Sequence, residues 1–130
     1  MADTTNKEAA LWTASQNNPD VTVNSGLSTL DDSIAGMFTH DMTSDANYTL
    51  LAAEWKYKVI EITDTNPFLG AARDIVLPND NPGIYYFYNN TSTHALSLLS
   101  ATGTGISVAA TKRAILQCDG TNVVRWTADI

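Results

Sequence analysis

From Tyr48 onward the chain divides into short runs of β formers, most of them closed by a turn signal within a few residues. The runs are Tyr48–Leu51, Trp55–Ile62, Arg73–Leu77, Ile84–Tyr88, Ala95–Leu99, Ile106–Ala109, Arg113–Cys118 and Val123–Thr127. Between them stand Asp64-Thr65-Asn66-Pro67, Asn79-Asp80-Asn81-Pro82-Gly83, Thr102-Gly103-Thr104-Gly105 and Asp119-Gly120-Thr121-Asn122. Pro removes a backbone donor, Gly admits left-handed conformations, and Asn and Asp bond their own backbone, so each cluster ends a strand for a stated reason. Strands this short at this spacing predict a small β-sandwich, jelly roll or barrel. They leave no room for helical crossovers between them.

Upstream the pattern changes. In Val21–Phe38 the apolar residues Val23, Leu27, Leu30, Ile34 and Met37 recur at gaps of four, three, four and three, the spacing of a coiled-coil seam. The other faces carry Ser25, Ser28, Thr29, Asp31, Asp32 and Ser33. An isolated helix of this length is marginal in water, and Gly26 costs it about 1 kcal/mol relative to Ala. The helix therefore needs a surface to cover its stripe. That surface is either its own domain or further copies of the chain. The first 20 residues are polar, with Leu11 and Trp12 as the large apolar side chains that mark a docking point, either on the chain's own body or on a partner.

The organisation expected is a polar N-terminal arm over 1–20, an amphipathic oligomerisation helix over 21–38, and a small antiparallel sandwich or jelly-roll-like domain over 48–130. Thr39–Asn47 reads as a polar linker. Seven basic residues against fourteen acidic ones give a net charge of −7, which argues against nucleic acid as a partner. A single cysteine, Cys118, excludes an intrachain disulfide. No apolar run reaches membrane-spanning length, and no secretory leader pattern is read at the N-terminus.

Two segments resemble the structural proteins of tailed-bacteriophage virions. Gln16–Asp31 is similar to a pattern of such proteins, a Gln, then Val-x-Val-Asn or similar, then a Leu-x-x-Leu-Asp helix, through Gln16, Val21, Val23, Asn24, Leu27, Leu30 and Asp31. Asn17, Asn18 and Asp20 stand where that pattern is commonly basic. The second half resembles a β module of phage fibre, tail and head-surface proteins through Val76-Leu77-Pro78, Gly83, Tyr86–Asn89, Gly103–Gly105 and Cys118-Asp119-Gly120-Thr121-Asn122. The resemblance implies a homotrimeric virion component, made in the bacterial cytoplasm and bound to a major capsid protein or a tail protein.

Residues able to carry chemistry are few. His40 and His94 lack metal-ligand spacing. Cys118 falls on an apolar strand face, where a free cysteine is ordinarily a small core residue. Asp41, Asp45, Asp64 and Asp80 offer carboxylates for glycoside cleavage, but each stands in turn-like sequence where Asp serves the backbone. No catalytic residue, cofactor or metal is therefore expected. In Ile84–Tyr88, alternation sets Tyr86 and Tyr88 on one face and Tyr85 and Phe87 on the other. Tyr86 and Tyr88 are expected at a subunit interface; the other reading is an aromatic row, or Trp55, that stacks on a host-surface glycan. The functional expectation is a non-enzymatic, trimeric capsid decoration or head-spike protein. The alternatives are a short tail fibre or tail adaptor, and a carbohydrate-binding module.

Overall fold

The computed structural model describes residues 18–78 and 81–130. One helix, α1 (Asn18–Ala35), precedes nine strands: β1 (Met37–Asp41), β2 (Tyr48–Thr49), β3 (Val59–Thr63), β4 (Arg73–Leu77), β5 (Gly83–Asn90), β6 (Leu96–Ser100), β7 (Gly105–Val108), β8 (Arg113–Cys118) and β9 (Val123–Arg125). Among the described residues the protein is mainly β, with one helix.

The helix starts earlier than the spacing suggested. Asn18-Pro19 opens it, because a proline in the first turn removes only an N–H that has no helical partner. It stops at Ala35. Gly36, whose N–H closes on the Asp32 carbonyl at 2.9 Å, lies under the Tyr57 ring so tightly that a Cβ there would come within 2.6 Å of it. Met37 and Phe38 then belong to β1, not to the helix. The first three residues of the linker expected over Thr39–Asn47 are likewise strand, because β1 finds a partner in β3.

Two sheets face each other over one core. The larger runs β1-β3-β5-β8-β9 and the smaller β2-β4-β6-β7. The chain alternates between them strand by strand as far as β6. As a result β1, β3 and β5 are parallel neighbours in one sheet, and β2, β4 and β6 in the other. The wholly antiparallel arrangement expected from the turns thus gives way to mixed sheets. A turn between consecutive short strands here carries the chain across to the opposite sheet, and the strand it re-joins is two elements back. Only the last three strands pair antiparallel, β7 on β6, β8 on β5 and β9 on β8.

Alternation decides which side chains enter the core. Ile60 and Ile62 of β3, Tyr85 and Phe87 of β5, and Ala114, Leu116 and Cys118 of β8 point inward from the larger sheet. They meet Ile75 and Leu77 of β4, Leu96 and Leu98 of β6, and Val108 of β7. Burying one such side chain fully contributes about 1.5–3 kcal/mol. The sheets are also laced along one side: the Val123 N–H donates to the Thr104 carbonyl at 3.0 Å, the Thr104 N–H to Asn122 Oδ1 at 3.0 Å, and Arg125 to the Ser107 carbonyl.

The strand expected over Trp55–Ile62 begins only at Val59. Glu54 explains the delay. Its carboxylate accepts the Leu51 N–H at 2.8 Å and the Tyr48 hydroxyl at 2.8 Å, and the Trp55 N–H reaches back to the Leu51 carbonyl. A carboxylate closing on an N–H three residues earlier favours a helical turn over an extended start. Burial, and after it the hydrogen bond to Glu54, raise the pKa of the Tyr48 phenol to about 12.

Candidate interaction surface

The seam residues of α1 do not enter the core. Val23 is 38% exposed, Leu30 58% and Ile34 64%, while Leu27 is half-buried. The end of the helix is tied to the body by polar and backbone contacts instead. Lys56 Nζ pairs with Asp32 Oδ2 at 2.7 Å, and the Tyr57 ring covers Gly36. The apolar stripe is left facing outward.

Met37 continues that stripe onto the larger sheet. It is 57% exposed and stands at the head of β1, opposite Val59. Val59 stands opposite Tyr86, Tyr86 opposite Ile115, and the Trp126 N–H donates to the Ile115 carbonyl at 2.9 Å. Met37, Val59, Tyr86, Ile115 and Trp126 therefore form one cross-strand row on the outer face. Tyr86 is 42% and Trp126 61% exposed. Met37, Val59, Tyr86 and Ile115, with Ile130 at the rim, line a depression of about 500 Å³.

The next row along the strands is charged. Thr39 stands opposite Glu61, Glu61 opposite Tyr88, and Tyr88 opposite Arg113. Glu61 accepts from Thr39 Oγ1 and from Asn90 Nδ2, both at 2.8 Å, which fixes its carboxylate on this face. The Arg113 guanidinium lies 3.8 Å from the Tyr88 ring centroid, and no ion pair reaches it among the described residues. Tyr88 and Tyr86 thus share the outer face, as their alternation implies, whereas Tyr85 and Phe87 are core residues. A platform made of all four aromatics does not exist. Burial, with the Cys118 sulfur beside it, raises the Tyr85 phenol to about 12.

A second concavity, of about 710 Å³, opens between the helix and the body and is lined by Thr29, Ser33, Trp55, Lys56, Tyr57 and Lys58. Leu11, Trp12 and Asp80 lie outside the described residues.

The residues weighed for chemistry are dispersed. His40 stacks on Tyr48 with ring centroids 3.7 Å apart, and burial lowers its pKa although Glu54 and Asp41 pull it up. His94 contributes its carbonyl, not its ring, to the hydrogen bonds of Asn89 and Thr91. Cys118 is buried and accepts the Gly120 N–H at 3.4 Å. Asp41 takes the Thr65 N–H and the Thr63 hydroxyl, both at 2.9 Å, and is held below its usual pKa mainly by Thr65. Asp64 accepts the Phe68 and Leu69 N–H groups at 2.9 and 3.1 Å. Asp45 binds Arg73 Nε at 2.8 Å. Each of these carboxylates closes a turn or an ion pair. Among the described residues no three His, Cys, Asp or Glu side chains converge as a metal would require.

Asn89 is the residue that sequence reasoning missed. It falls just beyond the run Ile84–Tyr88 read from the sequence, yet it is fully buried within β5. Its only sequence signal is an inward-facing register with Tyr85 and Phe87. Comparison with family models, with curated proteins and with solved structures gives no match.

Proposed function

We propose that the chain is a non-enzymatic, homotrimeric structural protein of a tailed-phage virion, acting as a capsid decoration or head-spike component. One observation carries the reading: the helix that is spaced for a coiled-coil seam turns Val23, Leu30 and Ile34 of that seam to solvent, and its end is held to its own body by the Lys56–Asp32 ion pair and the Tyr57 ring over Gly36. A short helix with its stripe uncovered gains its stability from packing with a partner. The virion assignment draws on the resemblance of Gln16–Asp31 and of the second half to phage structural modules. The arm with Leu11 and Trp12 then supplies the contact to capsid or tail protein, and association adds stability by mass action.

Light scattering behind a sizing column tests the oligomer. A mass three times the 14.0 kDa chain is the expected result, and a monomer at hundred-micromolar concentration overturns it. An antibody against the chain, applied to intact particles of the phage that encodes it, tests location. Unlabelled particles exclude the virion role.

A second reading is favoured by the cleft beside the helix, where Trp55 and Tyr57 meet Lys56 and Lys58. An aromatic wall with cations suits a host-surface glycan. Binding on a glycan array that disappears in Trp55→Ala supports it, and an array without signal removes it.

A further inference from the structure

We infer that the outer face of the larger sheet is the body's threefold contact, with a second copy of this chain as its occupant and an Arg113–Glu61 ion pair formed between copies. The inference rests on the trimer proposed above and specifies how its β bodies meet.

Continuity is the first argument. Met37 is both the last position of the helical spacing and the first outward residue of β1. An axis shared by three α1 seams therefore runs onto the row Met37, Val59, Tyr86, Ile115 and Trp126 without leaving apolar surface. Large uncovered apolar surface continuous over helix and sheet marks a protein contact.

Charge is the second argument. Glu61 and Arg113 occupy the same cross-strand row, on either side of Tyr88. With strands aligned along a threefold axis, the residues of one row stand at one height. The β8 side of one copy then abuts the β3 side of the next, so each Arg113 meets a neighbour's Glu61 and the ring closes after three pairs. Both groups are already oriented: Thr39 and Asn90 hold the carboxylate, and the Tyr88 ring carries the guanidinium. Arg113 is also one of only seven basic residues in a chain of net charge −7, so copies that otherwise repel gain an attraction here. The resulting interface has an apolar layer next to the helices and a charged layer beyond it, the division of anchor and rim seen in specific contacts.

Charge reversal tests it in the full-length chain. Glu61→Arg and Arg113→Glu should each raise the concentration at which the trimer half-dissociates by about tenfold or more, with an unchanged far-UV spectrum. The double variant should restore association to within about threefold of the parent. As a readout independent of folding in those variants, p-benzoylphenylalanine in place of Tyr86 should cross-link copies on irradiation. Trimers that persist in both single variants and give no Tyr86 cross-link overturn the sheet contact while leaving a helix-held trimer standing. A parent chain that is monomeric overturns both.

Discussion

The Asn89 side-chain amide donates to the Val108 carbonyl at 2.9 Å in the interior, joining β5 of one sheet to the end of β7 in the other. The same nitrogen donates to the His94 carbonyl at 2.9 Å, and Oδ1 accepts the Thr91 N–H at 3.2 Å and its hydroxyl at 2.7 Å. All four hydrogen-bonding positions of the amide are used. An apolar replacement strands the Val108 carbonyl and the Thr91 N–H in the interior. Asn89→Leu should therefore lose about 3 kcal/mol of stability or more, measured by urea unfolding, since the larger side chain also overfills the buried site.

Two glycines should respond in opposite directions to alanine. A Cβ on Gly103 would overlap the Thr121 carbonyl oxygen, backbone that is itself held in the hairpin turn between β8 and β9. Gly103→Ala should fall by several kcal/mol or fail to fold, since a main-chain clash has no flexible end to move. Gly26 has nothing within 4 Å of the added atom, so Gly26→Ala should gain about 1 kcal/mol. Thermal unfolding of the two variants reads both signs.

Thr111 has φ of +66°, a left-handed conformation that a β-branched residue adopts at a cost. It sits in the turn that brings the chain into β8 and is solvent-exposed. Thr111→Gly should raise stability by about 1 kcal/mol, and Thr111→Asn by somewhat less, because both tolerate that backbone better. A denaturant midpoint that falls in both variants would contradict this.

Arg73 donates to Asp45 and holds its carboxyl down at about 2, with the Gly70 N–H as the second cause. A carboxyl with a folded-state pKa below its unfolded value stabilises above the unfolded pKa, and that share disappears as pH falls through the folded one. The window is thus between about 3.8 and about 2. Carboxyl NMR titration should place the Asp45 midpoint near the lower limit, and Arg73→Gln should move it toward the upper one. His40 adds a separate step: its lowered pKa means that the unfolded chain takes up a proton first, so stability declines as pH drops below 6.5.

Strand positions were legible where a turn chemistry marked both ends. Arg73–Leu77, closed by Pro78, and Arg113–Cys118, closed by Asp119-Gly120, occur as read from the sequence. Gly120 takes φ of +104°, the conformation for which a glycine in that turn is needed. β1 was hidden because MFTHD has no apolar alternation of its own. It is made a strand by its neighbours, with Phe38 stacked on Tyr57 and His40 on Tyr48. Parallel pairing was hidden for a related reason: the register Met37–Val59–Tyr86 depends on partners far apart in the chain, and local periodicity fixes only which face a residue takes. The outward positions of Tyr86 and Tyr88 followed from that periodicity. The charged row beside them required the register.

The alternation of strands between the sheets gives the body a unit of length. Each of the pairs β1–β2, β3–β4 and β5–β6 contributes one strand to either layer and lies on the pair before it, and the antiparallel strands β7, β8 and β9 close only the far side. Duplicating one such pair would widen both layers together and leave the lacing at Thr104 and Asn122 and the Asn89 cluster where they are. Bodies of different width can thus arise from one design by gain or loss of whole pairs, each carrying its own outward residues to the outer faces.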